Sequence, residues 1–254
     1  MELPPNRLKA RLRDGAGPVQ WGMFTSLADP VAAEICAGAG FDFVIIDTEH
    51  APADLRTVLV QLQAMSAYPV EPVVRVYDDD PAVIKRYLDL GVRTLLVPMV
   101  ASGAQAEAIV RATRYRGIRG VSSARAARWG RVPDYHTTAD EQIGVIVQVE
   151  SRDALERLEE ICAVDGVDGV FVGPMDLATS LGHLGGGTHP EVVDVVADTL
   201  RRIAAAGAAP GVLASSPELV ARYVDAGAVF VAAGVDSMLL SQATTALRAS
   251  LPGR

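Results

Sequence analysis

The sequence is poor in lysine. Of its 23 basic residues only Lys9 and Lys85 are lysines, so chemistry that needs an amine nucleophile has two candidates. Lys9 precedes the first apolar strand, and Lys85 sits within a helical pattern. A Schiff-base mechanism, which needs a lysine at the reacting carbonyl, is therefore disfavoured. Cysteine is nearly as scarce. Cys36 and Cys162 both lie in apolar, helix-like contexts and read as core thiols rather than a disulfide. No Lys/Arg-rich block interrupts a chain of net charge −8, which argues against a nucleic-acid groove. No apolar run reaches transmembrane length, and the polar first residues lack the apolar core of a signal peptide. A cytoplasmic protein without membrane or nucleic-acid partners is expected. CxxC pairs, zinc-ligand clusters, a nucleophile elbow and a P-loop are also missing. The glycine run 185–187 lacks a P-loop's lysine and spacing, and reads as a loop.

What is present is a repeat of form. Short, continuous apolar runs occur at 19–24, 43–47, 72–76, 94–98, 144–149, 169–172, 209–213 and 228–232. Each is followed by a turn and a longer helical stretch. Continuous rather than alternating runs suit parallel strands covered on both faces. Asp29-Pro30, Asp80-Pro81 and Ser216-Pro217 each pair an N-cap with a first-turn proline, and glycines near 38–40, 91 and 227 close the helices. Eight such units in 254 residues predict an α/β fold of one domain, a (β/α)8 TIM barrel, with an open doubly wound sheet as the alternative. Residues 1–17 read as an N-terminal extension, and 236–254 as a C-terminal helix. Two connections are long, 100–143 and 173–192, and long connections in compact domains tend to be functional. Within the first, 120–131 is rich in Gly, Ser, Ala and Arg, and Trp129 suggests that it packs.

In such a barrel, reactive groups gather where strands end. The second run ends in Asp47-Thr48-Glu49-His50, the third at Arg75, the fifth in Gln148-Val149-Glu150, and the sixth runs into Gly173-Pro174-Met175-Asp176. Glu150 and Asp176, on neighbouring strand ends, suit a hard divalent cation. They would serve equally as solvent-facing helix caps. His50 has the side chain most often used as an acid/base near neutral pH, with Asp47 or Glu49 to orient it, or it is a loop histidine before Ala51-Pro52. Arg75 suits a carboxylate or a developing oxyanion, or a structural ion pair. Arg125 and Arg128 are further candidates for holding an anion. His136, His183 and His189 are weaker candidates, His189-Pro190 resembling a helix entry.

Those stretches, FVIIDTEHAP (43–52), PVVRV (72–76), TLLVPMV (94–100), VQVE (147–150), GVFVGPMDL (169–177) and FVAAGVD (230–236), resemble the HpcH/HpaI aldolase family of metal-dependent (class II) 4-hydroxy-2-oxo acid aldolases. The likeness runs from about Trp21 to Leu240. It implies a divalent cation (Mg²⁺, Mn²⁺ or Co²⁺) held by Glu150 and Asp176, with pyruvate bound there near Gln148, Gly173 and Pro174. It implies Arg75 at the keto oxygen and His50, supported by Asp47, moving protons. Asp89 would approach the histidine of a neighbouring subunit, in a homohexamer whose C-terminal helices are exchanged. The substrates implied are pyruvate, an aldehyde and the hydroxy-oxo acid they form. The 120–130 segment appears shorter than its counterpart in the family and could meet the aldehyde. An acyl-CoA lyase of the citrate-lyase type and a non-catalytic barrel used for binding remain as alternatives.

Overall fold

The computed structural model describes residues 3–15 and 17–252. Eight parallel strands close into a barrel in sequence order: β1 (Gln20–Thr25), β2 (Phe43–Asp47), β3 (Glu71–Arg75), β4 (Thr94–Val97), β5 (Gly144–Val149), β6 (Gly169–Val172), β7 (Pro210–Leu213) and β8 (Phe230–Val235). The closing pair is β1 with β8, so no open sheet remains. The expected strands are all present, with ends displaced by a few residues, most at β8.

The helices, in chain order, are α1 (Arg7–Asp14), α2 (Pro30–Ala37), α3 (Leu55–Met65), α4 (Pro81–Asp89), α5 (Gly103–Thr113), α6 (Tyr135–Gln142), α7 (Arg152–Glu156), α8 (Leu158–Cys162), α9 (Pro174–Ser180), α10 (Pro190–Ala205), α11 (Pro217–Asp225) and α12 (Asp236–Ser250). The three cap-proline pairs act as read: Asp29, Asp80 and Ser216 each accept a hydrogen bond from the first turn of the helix they open. No helix among the described residues is long and apolar enough to cross a membrane.

The period-two alternation of strand side chains separates two cores. Outward residues such as Val44, Ile46, Val74, Val147, Val170 and Val172 pack beneath the helices. Inward residues Phe43, Ile45, Val73, Leu96, Ile146, Phe171 and Phe230 fill the barrel, and Leu8 and Leu12 of α1 join them. The segment read as an extension thus supplies a helix that plugs the barrel floor. Gly22 and Gly211 make room for the filling: a Cβ at either would lie within 2.3 Å of a ring carbon of Phe43 or Phe230. The alternation also aims the site. Stepping by two from Phe43 and Ile45 reaches Asp47, from Val73 reaches Arg75, from Ile146 reaches Gln148 and then Glu150, and from Phe171 reaches Gly173. Polar residues therefore take over from the apolar filling at the C-terminal rim.

Candidate active site

The rim is built around Arg75. Its Nε donates to Asp47 Oδ1 at 2.9 Å and its Nη2 to Asp47 Oδ2 at 2.7 Å, while Nη1 lies 3.2 Å from Glu49 Oε2. Asp47 is buried, and burial alone would raise its pKa. The hydrogen bonds and charge of Arg75, with the backbone N–H groups of Glu49 and His50, outweigh that and hold the carboxyl below its ordinary value. Beneath the guanidinium lies the ring of Phe24, 4.9 Å away. Arg75 spends two of its five N–H donors on Asp47, which leaves donors for an anion at the mouth.

Glu150 forms the second part. Its Oε1 accepts from Met99 N–H at 2.7 Å and its Oε2 accepts from Gln148 Nε2. Burial pushes the Glu150 carboxyl up, and the charges of Asp176 and Glu49 push the same way. Glu49 is also raised, by burial first, with Asp47 and Asp176 adding repulsion. Buried Glu150 and half-buried Glu49 thus lie within electrostatic reach of each other and of the exposed Asp176, and Arg75 brings one fixed positive charge to the group.

The donor set fits a hard dication. A buried carboxylate such as Glu150, pushed up by burial and by neighbouring carboxylates, is stabilised by a cation beside it. Gln148 Oε1, beside Glu150, is buried and accepts no hydrogen bond. Gly173 leaves the cradle open, since a Cβ there would stand 2.4 Å from Glu150 Oε2. Glu150 and Asp176 are not the helix caps: Ser151 caps α7, and Gly173 holds the cap position of α9, with Asp176 in its first turn.

The other candidate residues divide between the rim and the floor of the barrel. The imidazole of His50 faces Glu49, with Nε2 3.7 Å from Oε2, whereas Asp47 reaches His50 only through the backbone N–H, at 3.4 Å. Arg125 and Arg128 line a cavity of about 370 Å³ at the opposite end of the barrel, together with Glu71 and Arg93. Neither can hold an anion at this chain's own rim. Long connections after β4 run down α5 to the barrel floor, which carries the 120–131 segment there. Trp129 is exposed, and Ala126, Ala127, Val132 and Tyr135 do the packing. Asp89 ends α4 at the same floor and lies 3.9 Å from Arg119, so one chain does not bring it to His50. His136 belongs to α6 and contacts Ser122. Lys9 is buried at the floor, bonded to the Ile143 carbonyl, which leaves no lysine for the rim from that quarter.

Met99 was missed by sequence reasoning. Its φ of 56° is unusual for a residue with a side chain, and this turn aims its N–H at Glu150. Nothing in a Pro-Met-Val string marks a left-handed residue.

A model of the HpcH/HpaI aldolase/citrate lyase family matches residues 20–243. The chain belongs to this family. It is 56% identical to the hydroxypyruvate/pyruvate aldolase of Deinococcus radiodurans over 98% of this chain and 92% of that one. It is 53% identical to the 4-hydroxy-2-oxovalerate aldolase of Rhodococcus jostii, over 98% and 97%. Among solved structures, an HpcH/HpaI aldolase/citrate lyase family protein from Burkholderia cenocepacia superposes with a TM-score of 0.91 at 43% identity, covering 96% of this chain and 98% of that one.

Proposed function

We propose that this protein is a divalent-cation-dependent pyruvate aldolase, reversibly cleaving a 4-hydroxy-2-oxo acid into pyruvate and an aldehyde. The observation that carries the reading is the rim itself: a guanidinium locked by Asp47 beside the carboxylates of Glu49, Glu150 and Asp176. The names of relatives sharing about half of its residues agree with it.

Glu150 and Asp176 hold the cation, which supplies Lewis-acid withdrawal of electron density from the 2-oxo group. The cation is Mg²⁺, Mn²⁺ or Co²⁺, all suited to oxygen donors. Gln148, Gly173 and Pro174 shape the floor on which the oxo acid lies. Arg75 directs its free N–H donors at the keto oxygen, where negative charge grows as the C3–C4 bond breaks. Asp47 keeps that fork from turning, so little reorganisation accompanies the charge development. His50 stands at the exposed lip and accepts the proton of the 4-hydroxyl, directly or through a water. Glu49 orients the imidazole and stabilises it once protonated. The C3–C4 electron pair passes into the enolate of pyruvate, the aldehyde leaves, and a proton returned to C3 completes the methyl group. Oxaloacetate decarboxylation passes through the same enolate and follows as a side activity.

Asp89 and the 120–131 segment serve a neighbouring subunit's rim in a homohexamer. In support, α12 exposes Met238, Leu239, Leu240 and Leu247, apolar side chains that its own chain does not cover. The protein works in the cytoplasm.

The test is cleavage of a 4-hydroxy-2-oxo acid series, with released pyruvate measured after EDTA treatment and after restoring Mg²⁺ or Mn²⁺. Pyruvate release that depends on the cation supports the reading. A folded, cation-loaded protein that releases none from any member of the series refutes it.

A further inference from the structure

A second set of donors lies apart from the rim carboxylates, in the connection between α9 and α10. His183 Nε2 is 3.0 Å from Glu191 Oε2. The ring of His189 stacks on that of His183, with centroids 3.9 Å apart and planes at 21°. One donor atom from each of these three residues lies within 4.8 Å of the other two. Among the described residues, this is the group in which three His, Cys, Asp or Glu side chains converge so closely.

The backbone beneath these side chains is fixed. His183 N–H bonds to Ala178 O, Gly186 N–H to His183 O, and His189 N–H to Gly186 O, each at 2.8 Å. Gly182 and Gly185, at φ 96° and 71°, make the reversals that close this ladder. Gly187 packs on the start of α9, where a Cβ would stand 2.7 Å from Met175 Sδ. Pro190 opens α10 and places His189 and Glu191 on either side of it. The run read as a plain glycine loop is therefore an ordered turn that presents two imidazoles and a carboxylate together.

We propose that His183, His189 and Glu191 form a second cation site, selective for a borderline transition dication such as Zn²⁺ over Mg²⁺. Two imidazole nitrogens and one carboxylate oxygen are the donors such ions take, whereas Mg²⁺ prefers an all-oxygen shell. Ligand atoms around tetrahedral zinc stand roughly 3.3 Å apart. The donor atoms now lie within 4.8 Å of one another and draw together around the ion, which takes the place of the proton between His183 and Glu191. Water fills the fourth position. The bound ion staples the connection to the first turn of α10, against the Pro174-Met175 segment that leads to Asp176.

The test measures Zn²⁺ binding by equilibrium dialysis in a Glu150→Ala/Asp176→Ala background, where the rim pair is gone. That variant is expected to retain about one Zn²⁺. Adding His183→Ala and His189→Ala removes direct ligands and should weaken its binding by more than the roughly tenfold that losing an outer-shell partner costs, while His136→Ala leaves it unchanged. Cu²⁺ in the same site should show superhyperfine splitting from two nitrogens. If the background variant does not fold, the wild-type chain serves: His183→Ala/His189→Ala should remove one Zn²⁺ equivalent and spare the other. Zn²⁺ binding that is the same with and without both histidines overturns the proposal. So does a folded background variant that binds no Zn²⁺. Neither result bears on the aldolase reading, which rests on the rim carboxylates.

Discussion

Asp47 and Arg75 are register partners on β2 and β3, and the carboxylate of one takes two N–H donors from the other. The pair sits at the level where the barrel filling changes from apolar to polar, with both side chains largely buried. Removing one partner of such a pair leaves the other charge uncompensated. Asp47→Ala should destabilise the protein by about 3 kcal/mol, whereas Arg75→Lys should fold nearly normally and lose about a hundredfold or more in kcat, because an ammonium cannot reproduce the held fork. Chemical denaturation and steady-state kinetics on both variants check this. A normal kcat in Arg75→Lys would remove Arg75 from the oxyanion role.

The carboxyls of Asp47 and Glu150 are shifted in opposite directions, so their linkage to folding has opposite signs. The folded-state pKa of Asp47 is depressed, so its contribution is present above its unfolded pKa and fades as the pH falls through the folded value. Glu150 is raised, so it binds its proton more tightly when folded. The cation-free protein therefore loses stability as the pH rises from the ordinary glutamate value through the raised one. Cation binding needs the ionised form, so Mn²⁺ affinity should begin to weaken on acidification at a higher pH than an ordinary glutamate would impose. Calorimetric titration with Mn²⁺ across that range measures it. A midpoint at or below the ordinary glutamate pKa would contradict the assignment.

Gly173 offers a steric test of the same carboxylate. An alanine methyl would displace Glu150 Oε2, which is 2.4 Å from the position of that Cβ. Gly173 is not in a left-handed conformation, so the substitution adds no backbone strain. Gly173→Ala should stay folded and bind Mn²⁺ about tenfold more weakly. Unchanged affinity would mean that the Glu150 carboxylate can move without cost to the site.

Much of this architecture was legible from residue order. Continuous apolar runs gave away parallel strands, and charges closing those runs marked the rim, because a barrel filled with Phe43, Ile45, Phe171 and Phe230 has room for polar groups only at its ends. The placement of residues from the long connection after β4 was not legible. Arg125, Arg128 and Asp89 are ordinary surface types, and only the path of α5 (for the two arginines) and of α4 (for Asp89) down to the barrel floor separates them from the rim. Trp129 misled because a large apolar residue usually signals burial, and here it is exposed. The partner of His50 was open between Asp47 and Glu49. In the structure the imidazole lies on the Glu49 side, 3.7 Å from Oε2, while Asp47 is engaged by Arg75 and by backbone N–H groups.

Asp89 carries a prediction about assembly. Its carboxyl is raised by burial despite Arg119, and it lies far from its own chain's His50. If it serves a neighbour, His50→Ala and Asp89→Ala proteins should each be impaired, and mixed oligomers formed by co-expression should recover activity at rims where both residues are intact. Mixed oligomers as inactive as either variant alone would confine Asp89 to a role within its own subunit.

The most direct test of the central claim is exchange of the pyruvate methyl protons in D2O, followed by NMR, because it isolates enolate formation from the identity of the aldehyde. The wild-type protein with Mg²⁺ or Mn²⁺ should exchange them. EDTA treatment, Glu150→Ala and Asp176→Ala should each abolish the exchange while the protein stays folded. Folded, cation-loaded wild-type protein that leaves the methyl protons in place would contradict a pyruvate aldolase built on these residues.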